Sequence, residues 1–186
     1  KILDTIPNKD LDNIFYVNSG SEATDNAIKI ARKYTNKSNI ISMSGGFHGR
    51  TIAALSVTSS NINCRKGMNP LLSNIYFCND LTENGLNNIF EYQSCPEDTA
   101  GILLESVQGE GGIKSIDKSF IKYIRQICDL NNIMLIADEV QCGAMRTGSW
   151  WDIFEKNIDP DIMTFGKGIA SGYPLAGVIS KSNIMD

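Results

Sequence analysis

Ile133-Met134-Leu135-Ile136-Ala137-Asp138-Glu139 joins an unbroken apolar run to two carboxylates. A short apolar run of this kind, bounded by polar residues, is typical of a strand buried on both faces of a parallel sheet. The residues before it predict an amphipathic helix that ends at Asn131-Asn132. Its apolar stripe consists of Phe120, Ile121, Ile124, Ile127 and Cys128. A helix followed at once by a buried strand is the repeating unit of an α/β fold.

The same alternation of strand and helix extends along the chain in both directions. The run Ile14-Phe15-Tyr16-Val17 predicts a buried strand, and residues 21–34 after it predict a helix. We expect the Asn-rich stretch 61–98, which is poorly periodic, to hold long loops. The pattern predicts an α/β fold with a mainly parallel, seven-stranded sheet, helices on both faces and ligands at the carboxyl ends of the strands. The other predicted strands are 40–43, 75–77, 101–104, 162–165 and 176–179.

Composition limits the class of protein. The 186 residues, of which 42% are hydrophobic, can bury one core, so we expect a single globular domain. A formal net charge of −4 gives no drive toward nucleic acid or an anionic membrane, and no apolar run is long enough to span a bilayer. Five scattered cysteines and one histidine argue against a metal site and indicate free thiols in a reducing compartment. We expect a cytoplasmic protein; a mitochondrial location stays open, because the chain does not begin with Met.

The first candidate site is the strand-to-helix junction Asn18-Ser19-Gly20-Ser21-Glu22-Ala23. Ser19 and Glu22 have the spacing of a capping box, and Gly20 allows a backbone geometry that other residues resist. The free amides of a helix start can bind an anion such as a phosphate. An ordinary capped helix without a ligand is the alternative. The motifs of a Rossmann dinucleotide loop and of a P-loop are both missing.

The second candidate site is Gly45-Gly46-Phe47-His48-Gly49-Arg50-Thr51, directly after a predicted strand. Phe47 could stack on a flat heteroaromatic ligand, and Arg50 could bind a carboxylate through two hydrogen bonds. A turn with a core Phe and a solvated Arg explains the segment equally well. We expect His48 to pack or to hydrogen-bond, because no Ser or Cys nucleophile pattern accompanies it.

Two further candidates follow later strands. Asp138 ends an apolar strand, so its carboxylate needs a cation: a protonated ring nitrogen, a protein Arg or Lys, or a metal ion. Lys167, between Gly166 and Gly168, could form a Schiff base with an aldehyde, whereas most lysines are merely solvated. Each feature alone is ambiguous. The four features together, each at a predicted strand end, are much harder to obtain by chance.

Five motifs of the chain resemble, in order, those of the class III aminotransferases of fold type I, the aspartate-aminotransferase-like enzymes. The resemblance covers nearly the whole chain, and this combination of motifs is specific to that family. The motifs are Asn18-Ser19-Gly20-Ser21-Glu22-Ala23, Phe47-His48-Gly49-Arg50-Thr51, Glu105-Ser106-Val107-Gln108-Gly109-Glu110-Gly111-Gly112, Ala137-Asp138-Glu139-Val140-Gln141 and Phe165-Gly166-Lys167-Gly168.

The resemblance implies pyridoxal 5'-phosphate (PLP) as the cofactor and gives a role to each motif. Gly20 and Ser21 would bind the phosphate, while Phe47 and Val140 would cover the two faces of the ring. The supporting residues would be Ser19, His48 and Glu105.

The resemblance also assigns the chemistry. Asp138 would pair with the ring nitrogen, Gln141 would hydrogen-bond the phenolic oxygen, and Lys167 would form the Schiff base, which makes Asp138 and Lys167 the catalytic residues. Arg50 would bind the substrate carboxylate, and Glu110 would pair with a gating arginine farther along the chain.

The implied reaction is ping-pong transamination from an ω-amino acid to a 2-keto acid. Residues 161–177 look closest to 4-aminobutyrate aminotransferases, with acetylornithine and ornithine enzymes next. Two alternatives stay open: an aminomutase, racemase or decarboxylase of the same fold that uses the same cofactor, and a non-enzymatic α/β module that binds a metabolite.

The chain departs from the family in length and in two short stretches. Family members are much longer, so we expect residues 1–186 to be an incomplete large PLP-binding domain, without the N-terminal segment and the small C-terminal domain. The complete enzyme would be a homodimer or a higher homo-oligomer. Ser106 replaces a usual Pro, which should loosen a loop. The segment Cys142-Gly143-Ala144-Met145-Arg146-Thr147-Gly148 replaces Thr-Gly-Phe-Gly-Arg-Thr-Gly, which removes an aromatic near the site.

Overall fold

A computed structural model describes residues 1–185 and contains nine strands and six α-helices. The strands are β1 (Asn13–Val17), β2 (Asn39–Met43), β3 (Ile75–Cys78), β4 (Thr99–Leu104), β5 (Val107–Gln108), β6 (Lys114–Ser115), β7 (Met134–Asp138), β8 (Ile162–Phe165) and β9 (Ala176–Ser180). The helices are α1 (Gly20–Thr35), α2 (Ile52–Ser56), α3 (Glu83–Tyr92), α4 (Lys118–Asn131), α5 (Asp152–Glu155) and α6 (Ser182–Met185). Within residues 1–185, every helix is too short or too polar to traverse a lipid bilayer.

Seven of the strands form one sheet in the order β1-β9-β8-β7-β4-β2-β3. The pairs β8–β7, β7–β4, β4–β2 and β2–β3 are parallel, whereas β9 is antiparallel to both β1 and β8. Six strands therefore run in one direction and β9 alone is reversed. The predicted mainly parallel, seven-stranded sheet is confirmed.

Helices cover both faces of the sheet, as predicted, because the strands are apolar on both sides. Along β7, Leu135 packs with the helices α3 and α4, and Ile136 packs with α1. In β4, Leu104 packs on the same face of the sheet as Leu135, and the adjacent Leu103 packs on the same face as Ile136. Each of these side chains is fully buried. Burial on both faces is the reason that these strands are continuous apolar runs in the sequence.

The two predicted helices are confirmed, and polar residues define their ends. Ser19 caps α1, and its Oγ accepts a hydrogen bond from the Glu22 N–H at 3.3 Å. At the end of α4, Asn132 adopts the left-handed conformation (φ 51°) that stops a helix, as the Asn131-Asn132 pair predicts.

The segment Ile14-Phe15-Tyr16-Val17 forms a strand as predicted, but the prediction that this strand is buried is wrong. β1 forms, but it is an edge strand, and Phe15 and Tyr16 are 50% and 57% exposed. A run of apolar residues does not distinguish a central strand from an edge strand that carries aromatic side chains. Only the pairing with β9, which comes far later in the chain, places β1 at the edge.

The prediction of long loops over residues 61–98 missed the helix α3. Thr82 caps this helix by accepting a hydrogen bond from the Gly85 N–H at 3.2 Å. Leu86 and Ile89 are buried against the sheet. The stripe is short, and the asparagines around it obscured the helical spacing.

Glu139 follows β7 directly and ties it to the start of α5. Its carboxylate oxygens accept hydrogen bonds from the backbone N–H groups of Asp152 at 3.0 Å and Ile153 at 2.8 Å. Burial raises the pKa of Glu139 from 4.5 to about 7, although these two hydrogen bonds act in the opposite direction.

We predict that the free energy of unfolding falls as the pH rises from about 4.5 to about 7, by an amount on the order of 3 kcal/mol from Glu139. In this range Glu139 keeps its proton in the native state, whereas the unfolded chain has released it. Each rise in pH therefore favours the unfolded state, until Glu139 also ionises in the native state. Glu139→Gln mimics the protonated acid and should flatten this slope. Chemical denaturation between pH 5 and 8 measures the effect. The exposed Glu155→Gln, on the helix α5 that Glu139 contacts, is the control, and equal slopes in both variants would contradict the prediction.

Candidate active site

The carboxyl ends of the parallel strands surround a cavity of about 530 Å³. All of the site residues predicted from the sequence line this cavity, with the exception of Ser19. Gly49 and Cys64 complete its wall. Segments that are distant in the sequence therefore meet at one place, at the edge of the sheet where an α/β fold places its ligands.

The start of α1 forms one end of the cavity. Ser19 caps the helix, and the Glu22 side chain accepts a hydrogen bond from the Asn18 N–H at 2.7 Å. Gly20 and Ser21 are the first two helical residues, so their N–H groups have no acceptor within the helix. The positive end of the helix dipole and these N–H groups favour an anion at this position.

Close packing explains the small residues around this helix start. A Cβ atom on Gly20 would lie 2.7 Å from Val140 Cγ1, and one on Gly49 (φ 136°) would lie 2.8 Å from Ser21 Cβ. The Ser21 Oγ accepts a hydrogen bond from the Arg50 N–H at 3.1 Å. Because that bond uses a lone pair, the hydroxyl hydrogen of Ser21 stays available to a ligand.

Glu105 holds two loops of the cavity wall in place. Its carboxylate accepts hydrogen bonds from the Phe47 N–H at 2.9 Å and from the Gly109 N–H at 3.3 Å. Burial raises the pKa of Glu105; the proximity of His48 opposes this shift, and the proximity of Asp138 adds to it.

Asp138 is the centre of a buried hydrogen-bond network. Its Oδ1 accepts from the Val140 N–H and from the Thr164 hydroxyl, both at 3.0 Å. Its Oδ2 lies 2.6 Å from His48 Nδ1. The sequence suggested a protein Arg or Lys as one possible partner, and the structure places His48 there instead. His48 thus has the hydrogen-bonding position expected for it, with its other ring nitrogen, Nε2, buried and unpaired among residues 1–185.

Lys167 reaches the cavity from the turn that follows β8. Its backbone is left-handed (φ 44°), which is rare for a residue with a side chain and is frequent at functional sites. Its Nζ donates a hydrogen bond of 2.5 Å to Gln141 Oε1. The Gln141 side chain lies over Gly109, where a Cβ atom would be 2.5 Å from Gln141 Cδ. Lys167 and Gln141 therefore form one polar unit at the cavity wall.

Arg50 and Glu110 line the same cavity from exposed positions. Neither side chain takes part in an ion pair within residues 1–185. An exposed guanidinium at the rim of a cavity can bind a carboxylate through two parallel hydrogen bonds.

Sequence reasoning missed two residues of this region. Thr164 donates its hydroxyl to Asp138, and the parallel register of β7 and β8 places the two residues side by side. Aligning the two predicted strands in this register would have revealed the contact. Cys64 lies on the 3₁₀ turn Ile62–Cys64 and lines the cavity, but no pattern in the sequence indicates that this loop folds back over the site.

The two departures from the family pattern contact each other. Ser106 and Cys142 are both buried, and Ser106 Oγ lies 3.8 Å from Cys142 Sγ. The Ser106 carbonyl accepts a hydrogen bond from the Ile116 N–H at 3.0 Å. Ala144 and Met145 both adopt left-handed backbone conformations (φ 52° and 68°).

The arrangement has three chemical capacities. The α1 start can bind an anion, Asp138 can hold a cationic ring nitrogen, and Lys167 can present an amine to a carbonyl group. No cluster of three or more His, Cys, Asp or Glu side chains within residues 1–185 could hold a metal ion. Together these three properties match a flat ligand that carries a phosphate, a cationic ring nitrogen and an aldehyde.

Comparisons with known proteins agree with this chemistry. The family model described as aminotransferase class-III matches residues 1–186. The chain is 41% identical over 180 residues to 5-aminovalerate aminotransferase of Pseudomonas putida and to 4-aminobutyrate aminotransferase of Escherichia coli. Each alignment covers 91% of the chain and 42% of the relative. The chain thus spans less than half the length of these relatives.

Solved structures give the same result. A transaminase from a marine Virgibacillus superposes with a TM-score of 0.91 at 31% identity, covering 99% of this chain and 44% of that protein. Ornithine aminotransferase from Toxoplasma gondii, described with partial occupancy of PLP at its active site, superposes with a TM-score of 0.85 at 28% identity, covering 94% of this chain and 42% of that protein. The predicted family and fold are confirmed: the chain belongs to the class-III aminotransferases, a family of PLP-dependent enzymes.

Proposed function

We propose that this chain is the large, PLP-binding domain (residues 1–186) of an enzyme that transfers an amino group from an ω-amino acid to a 2-keto acid by a ping-pong mechanism. One observation carries the proposal: a single cavity contains the start of α1, the buried Asp138 and the amine of Lys167. Relatives named for 5-aminovalerate and 4-aminobutyrate support an ω-amino acid as the donor, and relatives named for acetylornithine and ornithine extend the class.

The cavity fits the cofactor at its phosphate end. Gly20 leaves no room for a side chain against Val140, so the backbone N–H groups of Gly20 and Ser21 would reach the phosphate directly. The Ser21 hydroxyl, fixed by the Arg50 N–H, would donate a further hydrogen bond. Ser19 supports this end as the helix cap.

The residues around the middle of the cavity fit the ring. Phe47 and Val140 line the cavity and would cover its two faces. Glu105 holds the Phe47 backbone, and Gln141 would hydrogen-bond the phenolic oxygen from its position beside Lys167.

Two groups perform the chemistry. When bound, PLP supplies an aldehyde for a covalent link to an amine and a protonated ring that stabilises negative charge on the adjacent carbon. Asp138, held by Thr164 and His48, would present its carboxylate to the ring nitrogen. Lys167 Nζ provides the amine for the link and can hold and move the proton of the substrate carbon that bears the amino group.

Arg50 and Glu110 would select the substrate. The Arg50 guanidinium matches the planar carboxylate of an amino acid or a keto acid, and it has no competing ion pair within residues 1–185. Glu110, on the opposite loop, would pair with a gating arginine and release it when the second substrate carries another carboxylate.

We include a homodimer and a cytoplasmic location in the proposal. Some exposed apolar side chains lie on the loops that also carry cavity residues, which supports a protein interface around its mouth. They are Ile62, Met68, Ile113, Met145 and Tyr173. Five free thiols support a reducing compartment.

The proposal is tested first by adding PLP to the complete protein that carries this chain. An absorbance band near the visible region, and a borohydride-fixed adduct located on Lys167 by peptide mass spectrometry, are the expected results. A non-enzymatic metabolite-binding module would give neither.

Lys167→Ala should abolish transamination and leave PLP bound without a covalent link, because no other amine of the cavity can replace Nζ. Steady-state assays with 4-aminobutyrate and a 2-keto acid measure the loss. Lys33→Ala, an exposed lysine on α1, is the control and should keep full activity. Near-normal turnover of Lys167→Ala would remove the central claim.

Asp138→Asn keeps the shape of the side chain and removes its charge. The rate should fall by about a thousandfold or more, which corresponds to roughly 4 kcal/mol in the barrier. Asp161→Asn, at the opposite end of the sheet, is the control: it measures how far the rate falls when a structural carboxylate is lost. A rate within tenfold of the parent would mean that another group holds the ring nitrogen.

Arg50→Lys keeps the charge and loses the planar fork. Binding of carboxylate substrates should weaken by about 1.5–3 kcal/mol, the contribution of a charged hydrogen bond, while the cofactor absorbance stays intact. Simple amines without a carboxylate are the internal control. If they lose activity equally, or if PLP is lost, Arg50 is a structural residue.

A further inference from the structure

Thr164 is a fully buried polar residue in β8 that contacts Asp138 but does not itself line the cavity. The parallel register of β7 and β8 places it beside Asp138, and the Glu139 N–H donates to the Thr164 carbonyl at 2.9 Å. Its backbone and its side chain therefore hold the same neighbouring strand end. The Thr164 hydroxyl lies 3.0 Å from Asp138 Oδ1.

The direction of this hydrogen bond is fixed by chemistry. An ionised carboxylate only accepts hydrogen bonds, so the Thr164 hydroxyl must be the donor. Asp138 Oδ1 also accepts from the Val140 N–H at 3.0 Å, which uses both of its lone pairs. Within residues 1–185, His48 is the one donor to Oδ2, which leaves one lone pair of Oδ2 free.

We propose that Thr164 is a positioning residue that fixes the Asp138 carboxylate, so that Oδ2 remains the acceptor for the ring nitrogen of the cofactor. This inference rests on the proposed function of the site. Without the hydroxyl, Oδ1 would keep a single donor, and the carboxylate could rotate to exchange its two oxygens.

Within residues 1–185, neither the neighbouring strand β9 nor His48 offers a replacement donor. On its other side, β9 places Val178 in register with Thr164, and both side chains are fully buried. His48, the other side-chain donor to Asp138, is committed to Oδ2. Loss of the hydroxyl would therefore leave an acceptor position of a buried carboxylate unfilled.

Three substitutions in the complete protein separate positioning from packing. Thr164→Val keeps the shape of the side chain and removes the donor, Thr164→Ser keeps the donor, and Thr164→Cys keeps the size with a weaker donor. Thr99→Val is the matched control, because Thr99 is a fully buried threonine whose hydroxyl bonds the Cys95 carbonyl at 2.8 Å, at the other end of the sheet.

The first measurement is the equilibrium dissociation constant of PLP from the apoprotein. Thr164→Val should raise it about tenfold, as expected for one lost hydrogen bond to a charged group. Thr164→Ser should stay within about twofold of the parent, Thr164→Cys should fall between, and Thr99→Val should not change the constant. The pH titration of the bound cofactor's absorbance should shift in Thr164→Val alone.

Two results would overturn the inference: equal effects of Thr164→Val and Thr99→Val, or a Thr164→Ser variant as weak as Thr164→Val. If Thr164→Val does not fold, the comparison of Thr164→Cys with Thr164→Ser decides, because both are smaller or equal in volume and differ in donor strength. A parent protein that forms no borohydride-fixed adduct on Lys167 would instead remove the proposed function itself.

Discussion

The Asp138 carboxylate is 3% exposed at the end of an apolar strand, and the cavity is organised around keeping it there. A buried carboxylate is costly unless donors satisfy it, and Asp138 obtains three: one from the following turn, one from β8 and one from the Phe47–His48 loop. Each donor belongs to a different segment, so one side chain fixes the relative positions of three parts of the chain. Asp138, His48 and Val140 also line the cavity.

Strand order places the remaining chemistry around Asp138. In the sheet, β1, β9, β8 and β7 are consecutive neighbours. The start of α1 follows β1, Lys167 follows β8 and Asp138 ends β7, so the anion-binding end, the amine and the acid form a row along one edge. The reversed strand β9 lies between the first two and meets that edge with its amino end, so the loop that enters it is the one that carries Lys167.

Much of this arrangement could be predicted from the sequence, because the physical signals are local. Continuous apolar runs indicated the central strands, and the carboxylate after Ala137 and the glycines beside Lys167 indicated strand ends with chemistry. What could not be predicted depends on contacts between distant segments. β1 is an edge strand only because it pairs with β9, and Cys64 reaches the cavity only because a long loop folds back. The helix α3 was missed because asparagines surround its short apolar stripe.

The pairing of β1 with β9 also constrains the order of events during synthesis. Within the sheet β1 has β9 as its one neighbour, so this strand has no place to dock until the ribosome has released Ala176–Ser180. The central strands β2, β4 and β7 can associate earlier, together with the aspartate that ends β7. A nascent chain can thus bring Asp138 into the sheet before the start of α1 arrives beside it. The cavity wall formed by residues 1–185 is complete only after β9 has been synthesised.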